Sequence, residues 1–87
     1  MNEGPTLRTR VIYFAQARER AGTAGEPLEL PAGSRVRDAL RALAAKHPAL
    51  APLEGTLAVA VDGTLARADD ALQDGAELAL LPPVSGG

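Results

Sequence analysis

Few groups in this 87-residue sequence have side chains able to do chemistry. There is no cysteine and a single histidine. A disulfide scaffold, a cysteine-based zinc site, a cysteine nucleophile and a multi-histidine metal site are therefore excluded. No Ser/His/Asp set stands out. His47 precedes Pro48, where a solvent-facing or helix-capping role is expected. Asp69-Asp70 reads as a solvated turn rather than a catalytic carboxylate pair. Arg18, Glu19 and Arg20 read as a charged helix face. Gly22-Thr23-Ala24-Gly25 lacks the Gly-Lys-Ser/Thr step of a phosphate loop.

The group that does stand out is the carboxylate of Gly87. Leu81 ends an apolar run, Pro82-Pro83 follows, and Val84-Ser85-Gly86-Gly87 closes the sequence. Prolines favour an extended conformation with little entropy to lose. Glycines have no side chain, so they thread a narrow channel and let a partner's backbone come close. Six residues from Pro82 to Gly87 span at most roughly 20 Å. That length reaches into another protein's active site while a globular body stays outside. A carboxylate with a pKa near 3.3–3.7 is ionised at neutral pH and is a poor electrophile. It becomes useful after activation, for example as an acyl-adenylate made with ATP. It then accepts sulfur or forms an amide.

The elements that must position this tail follow from pattern. Residues 1–5 are a short polar leader. Leu7–Phe14 reads as a strand ending in Val11-Ile12-Tyr13-Phe14, apolar on both faces. Ala15–Ala21 is a short helix stopped by Gly22. Glu26–Leu30 is a second strand, with Leu28 and Leu30 on one face. Ser34 suits the N-cap of a helix over Arg35–Lys46; a strict capping box is absent, with Asp38 one place late for it. Val36, Ala39, Leu40, Leu43 and Ala44 form the apolar stripe of that helix. Pro48 ends it, and Ala49–Thr56 reads as a loop. Leu57–Val61, the Asp62-Gly63 turn and Thr64–Ala66 make a hairpin. Arg67–Asp74 is a polar stretch pinned by Leu72, and Glu77–Leu81 is the last strand.

This order predicts an α+β domain over residues 6–81, a mixed sheet of four to five strands with one main helix on one face. The first and last strands are the most apolar, so they belong side by side near the centre. One helix covers one face only. Either the short helix and loops cover the other face, or part of it stays exposed, and an exposed apolar patch marks a partner surface.

Composition narrows the field further. Of 40 hydrophobic residues 18 are alanine, so thirteen leucines, five valines, Ile12, Tyr13 and Phe14 supply most of the core. A formal net charge of −2 argues against a nucleic-acid binder that relies on a positive field. No stretch approaches the roughly 20 apolar residues of a membrane span, and no secretory signal is evident. The expected location is the cytoplasm.

Four stretches resemble the ubiquitin-like sulfur carriers, most closely the small-subunit (MoaD) type of molybdopterin synthase. They are Tyr13–Gly22 (YFAQARERAG), Ser34–Leu43 (SRVRDALRAL), Leu57–Gly63 (LAVAVDG) and Leu72–Gly87 (LQDGAELALLPPVSGG). The ending Pro-Pro-Val-Ser-Gly-Gly and the Phe-Ala-x-x-Arg-Glu segment are its most specific parts. The resemblance implies a β-grasp fold and no resident cofactor. It implies that an E1-like (MoeB-type) enzyme adenylates the Gly87 carboxylate with ATP and Mg²⁺, and that a sulfur donor system converts it to a thiocarboxylate. The loaded tail would then enter the MoaE-type large subunit and give sulfur to cyclic pyranopterin monophosphate. Carried over by resemblance, Gly87 is the sulfur-bearing terminus, Gly86 its side-chain-free neighbour, and Pro82, Pro83, Val84 and Ser85 the threading segment. Phe14 and Leu81 are candidates for the docking surface. Two alternatives stand beside this reading. One is a sulfur carrier for thiamin thiazole, cysteine or tRNA thiolation; the other is a β-grasp binding module with an inert tail.

Overall fold

A computed structural model describes residues 4–83 of the chain. Five strands and two α-helices follow in the order β1 (Thr6–Tyr13), α1 (Ala15–Ala21), β2 (Gly25–Pro31), α2 (Val36–Lys46), β3 (Ala58–Val61), β4 (Thr64–Ala66) and β5 (Glu77–Leu81). The strands form one mixed sheet in the order β2-β1-β5-β3-β4. β1 and β5 run parallel, and every other pairing is antiparallel. The two strands apolar on both faces are thus interior neighbours, as their composition predicts.

Alternation sorts each strand into a core face and an outer face. Leu7, Val11 and Tyr13 of β1 and Leu78 and Leu80 of β5 are buried. Val36, Ala39 and Leu43 of α2 join them in the same core cluster. Each of the larger side chains contributes roughly 1.5–3 kcal/mol by leaving water. Leu50 and Leu72 close the core from the long connections.

Three details differ from the pattern-based expectation. The residue before α2 is Arg35, not Ser34. The Ser34 hydroxyl instead donates to the Pro31 carbonyl, 2.7 Å away, and braces the preceding turn. With the helix starting one residue later, Asp38 is no longer late. Its Oδ2 accepts from the Arg35 N–H at 2.8 Å. The next free helix donors are satisfied from a distance in sequence: the N–H groups of Val36 and Arg37 donate to the carbonyls of Asp70 and Ala68, each at 2.9 Å. The 67–74 stretch, polar in composition, is therefore the lid of the α2 N-terminus, fastened by buried Leu72. Finally, Pro48–Thr56 is wound as 3₁₀ helix rather than open loop. Pro48 suits its first turn, where the missing N–H has no partner to lose.

Turns follow sequence closely. Asp62 and Gly63 both have positive φ, 51° and 87°, the geometry that joins antiparallel strands in two residues. Gly22 ends α1 at φ 76°, its N–H donating to the Arg18 carbonyl. No helix among the described residues is long and apolar enough to cross a membrane.

Candidate functional site

β5 delivers the chain to the tail. Its last residue, Leu81, pairs with Ala58 of β3, and Leu80 pairs with Tyr13 at the end of β1. The strand is central, so the departure point is held by ladders on both sides. Pro82 is half-buried and Pro83 exposed. Val84, Ser85, Gly86 and Gly87 lie outside the described residues.

The face away from α2 is the surface that surrounds this exit. Leu78 and Leu80 point to the core, so Ala79 and Leu81 point outward by alternation. Ile12 of β1, paired with Ala79, and Ala58 and Ala60 of β3 share that outer face. Leu65 of β4, opposite Ala60, is 71% exposed. Phe14 follows Tyr13 in extended conformation and is 46% exposed. Its N–H donates to the Leu80 carbonyl at 3.3 Å, which fixes it beside the last turn of the pleat of β5. Phe14 and Leu81 thus share the outer face, flanking the point where the tail leaves. Of the two outcomes left open by pattern, cover or exposure, the described residues show exposure. The rim is charged, with Arg8, Arg10, Glu29 and Glu77 on the outer side of their strands.

Between α2 and β2, on the same end of the sheet, lies a polar cluster that spacing along the chain did not reveal. Glu26 of β2 sits on the core side, with its side chain only 12% exposed. It accepts from the Tyr13 hydroxyl at 2.5 Å, from Lys46 Nζ at 2.5 Å, and faces His47 Nε2 at 2.6 Å. The rings of Tyr13 and His47 meet edge to face, with centroids 6.0 Å apart. Burial pushes the Glu26 carboxyl up, but hydrogen bonds from Lys46, Tyr13 and His47 outweigh it and hold it down at about 2. The Tyr13 hydroxyl moves the other way: burial first, then the hydrogen bond and charge of Glu26, raise it above its ordinary value. His47 does cap the end of α2, its backbone N–H donating to the Leu43 carbonyl at 2.8 Å, but its side chain is not solvent-facing: it is 20% exposed and bound to Glu26. One signal for Glu26 did exist: it shares a face with Leu28 and Leu30 by alternation, a carboxylate where an apolar residue is expected.

Asp69 and Asp70 are structural, as expected of a turn. Asp70 Oδ2 accepts from the Arg67 N–H at 2.9 Å, and Asp69 pairs with Arg37. Arg20 donates to the Ala49 carbonyl at 3.2 Å, tying α1 to the 3₁₀ segment. Among the described residues no group of His, Cys, Asp and Glu could hold a metal ion.

A mixed sheet in the order β2-β1-β5-β3-β4 grasping one main helix, with its central strand feeding a Pro-Pro exit, defines a ubiquitin-like β-grasp protein. The ThiS family description matches residues 11–87, and the chain belongs to that family. It is 40% identical over 83 residues to the molybdopterin synthase sulfur carrier subunit of Chlamydomonas reinhardtii, covering 93% of this chain and all of that protein. Among solved structures, it superposes on small archaeal modifier protein 1 of Haloferax volcanii with TM-score 0.82 at 32% identity, covering 90% of this chain and 99% of that one. It also matches a chain in the complex of molybdopterin-converting factor subunits 1 and 2 from Helicobacter pylori, with TM-score 0.62 at 28% identity. That match covers 93% of this chain and all of the other.

Proposed function

We propose that this chain is the sulfur-carrier subunit of a molybdopterin synthase, working in the cytoplasm through the carboxyl group of Gly87. The observation that carries the reading is the Pro82-Pro83 exit from the central strand of a ThiS-family β-grasp domain whose sequence continues Val-Ser-Gly-Gly. The chemistry needs no catalytic side chain here. An E1-like (MoeB-type) enzyme transfers AMP from ATP, with Mg²⁺, to the carboxylate. The resulting acyl-adenylate carries a good leaving group at the acyl carbon. A sulfur donor system replaces AMP with sulfur and leaves a thiocarboxylate. Delivered to cyclic pyranopterin monophosphate, that sulfur builds the dithiolene, and a dithiolene requires delivery more than once. The carrier must therefore dock, discharge and leave.

The parts divide this work. Gly86 and Gly87 present no side chain to a narrow channel. Pro82, Pro83, Val84 and Ser85 span the distance from body to acceptor, with the prolines keeping the arm extended. The outer sheet face, with Phe14 and Leu81 beside the exit, docks on a MoaE-type large subunit, which supplies the pterin pocket. The Helicobacter pylori complex of subunits 1 and 2 supports a partner of that kind. The protein itself holds no cofactor.

Purified from a host that supplies the activating enzyme, part of the protein should be heavier by the difference between sulfur and oxygen. Deleting Gly87, or adding one residue after it, should abolish that species while the circular dichroism spectrum stays unchanged. Sulfur transfer by an extended tail would overturn the reading.

A further inference from the structure

Of the nine basic residues, eight are arginine and one, Lys46, is lysine. The difference matters for a chain with an activated acyl group. A guanidinium stays protonated and is no nucleophile, whereas an amine is. Lys46 is thus the one side chain in the sequence that could form a stable amide with its own tail or that of another copy.

Its position makes the attack a real hazard. Lys46 ends α2 and binds Glu26, which binds Tyr13. Tyr13 pairs in register with Leu80, one residue before the strand ends. The lysine and the tail exit therefore share one end of the molecule, and the tail is roughly 20 Å long when extended. Burial does not hide the amine, since the Lys46 side chain is 52% exposed. What restrains it is Glu26, whose carboxylate is itself oriented by Tyr13 and His47.

We infer that Glu26 guards the tail, holding the chain's one side-chain amine in an ion pair so that an activated Gly87 is not consumed by self-acylation. The inference rests on the sulfur-carrier reading, because only an activated tail needs such protection. The reaction prevented is specific. Lys46 Nζ must first give up a proton, since the ammonium has no lone pair. The free amine then attacks the Gly87 acyl carbon and an N–C bond forms. The bond from that carbon to its leaving group breaks, AMP departs with the electron pair, and the new amide nitrogen loses its remaining extra proton to water. The product, a cyclised chain or a two-copy isopeptide, can carry no sulfur.

The test uses the full chain prepared as a C-terminal mercaptoethanesulfonate thioester, in which the thiol replaces AMP as leaving group. Wild-type protein should mainly hydrolyse at pH 8. Glu26→Gln should form the Gly87–Lys46 amide about tenfold faster, from the loss of one charged hydrogen bond. Intact mass and the cross-linked tryptic peptide report it, and combining Glu26→Gln with Lys46→Arg should remove the product. A second measurement needs no activated tail and covers a failure of Glu26→Gln to fold. Lys46 of the wild type should react with an acetyl succinimide ester several-fold more slowly than the amine introduced by Arg41→Lys, a position exposed on the same helix. Equal acetylation at the two positions, or equal self-acylation in wild type and Glu26→Gln, would overturn the guard. Neither measurement uses the activating enzyme. Failure to gain sulfur would thus defeat the functional reading separately.

Discussion

At the scale of single residues, Glu26 carries the largest electrostatic responsibility among the described residues. Its folded-state pKa of about 2 lies below the ordinary 4.5. The folded chain therefore holds the charged form more strongly than the unfolded chain does. The stabilisation is complete above about pH 4.5 and is lost as pH falls toward 2. Glu26→Gln should lower stability by about 1–3 kcal/mol at pH 7, since hydrogen bonds to a charged group are lost. It should also flatten the acid limb of stability between those pH values, as read by urea denaturation at a series of pH values. A second residue stores strain. Ala15, the first residue of α1, has φ 51°, a conformation that costs a residue with a Cβ roughly 1–2 kcal/mol. It turns the chain from β1 into α1 immediately after Phe14. Ala15→Gly should therefore raise the denaturation midpoint, despite the usual penalty for glycine in a helix. An unchanged or lower midpoint would show that the strain is not paid in the folded state.

At the scale of elements, the proposed function gives the outer sheet face and the arm separable roles. Phe14 and Leu65 are exposed, so replacing either with aspartate should change stability by no more than about 0.5 kcal/mol. On a docking face, removing an aromatic anchor costs about 2 kcal/mol or more. Phe14→Asp should thus weaken binding to a molybdopterin synthase large subunit by roughly thirtyfold or more in calorimetry, with an unchanged melting curve. The α2 N-terminus shows a different kind of element-level dependence. Its donors reach the carbonyls of Asp70 and Ala68, so the helix start is closed by a segment more than thirty residues away. Ser34 looked like the cap because local rules see only neighbours. The capping partner came from a stretch whose composition said only that it was polar.

At the scale of the whole molecule, the proposed function makes the body independent of the arm. The sheet ladder ends at Leu81, and none of the core cluster lies beyond it among the described residues. Truncation after Leu81 should leave the melting temperature within about 2 °C of wild type, given how little a surface segment contributes. Loss of sulfur acceptance should be complete. A large drop in melting temperature would mean that the arm packs on the body and is not a free-standing limb.

The sequence by itself determined the last strand, with the Pro-Pro step that follows it, and the main helix. These are local properties: alternation and 3.6-residue periodicity follow from backbone geometry, and a Pro-Pro step acts through its own fixed dihedrals. The adjacency of β1 and β5 was also legible, because both strands are apolar on two faces and only interior strands can be. Tertiary structure alone decided which face Phe14 and Leu81 share, since pairing register places side chains on a sheet. It decided the helix cap. It also brought Tyr13, Lys46 and His47 onto the Glu26 carboxylate. Nothing in their spacing joins β1, β2 and the end of α2; the fold does so because burying Glu26 beside the core requires partners for its charge, and the helix end and the tyrosine hydroxyl are what the packing places there.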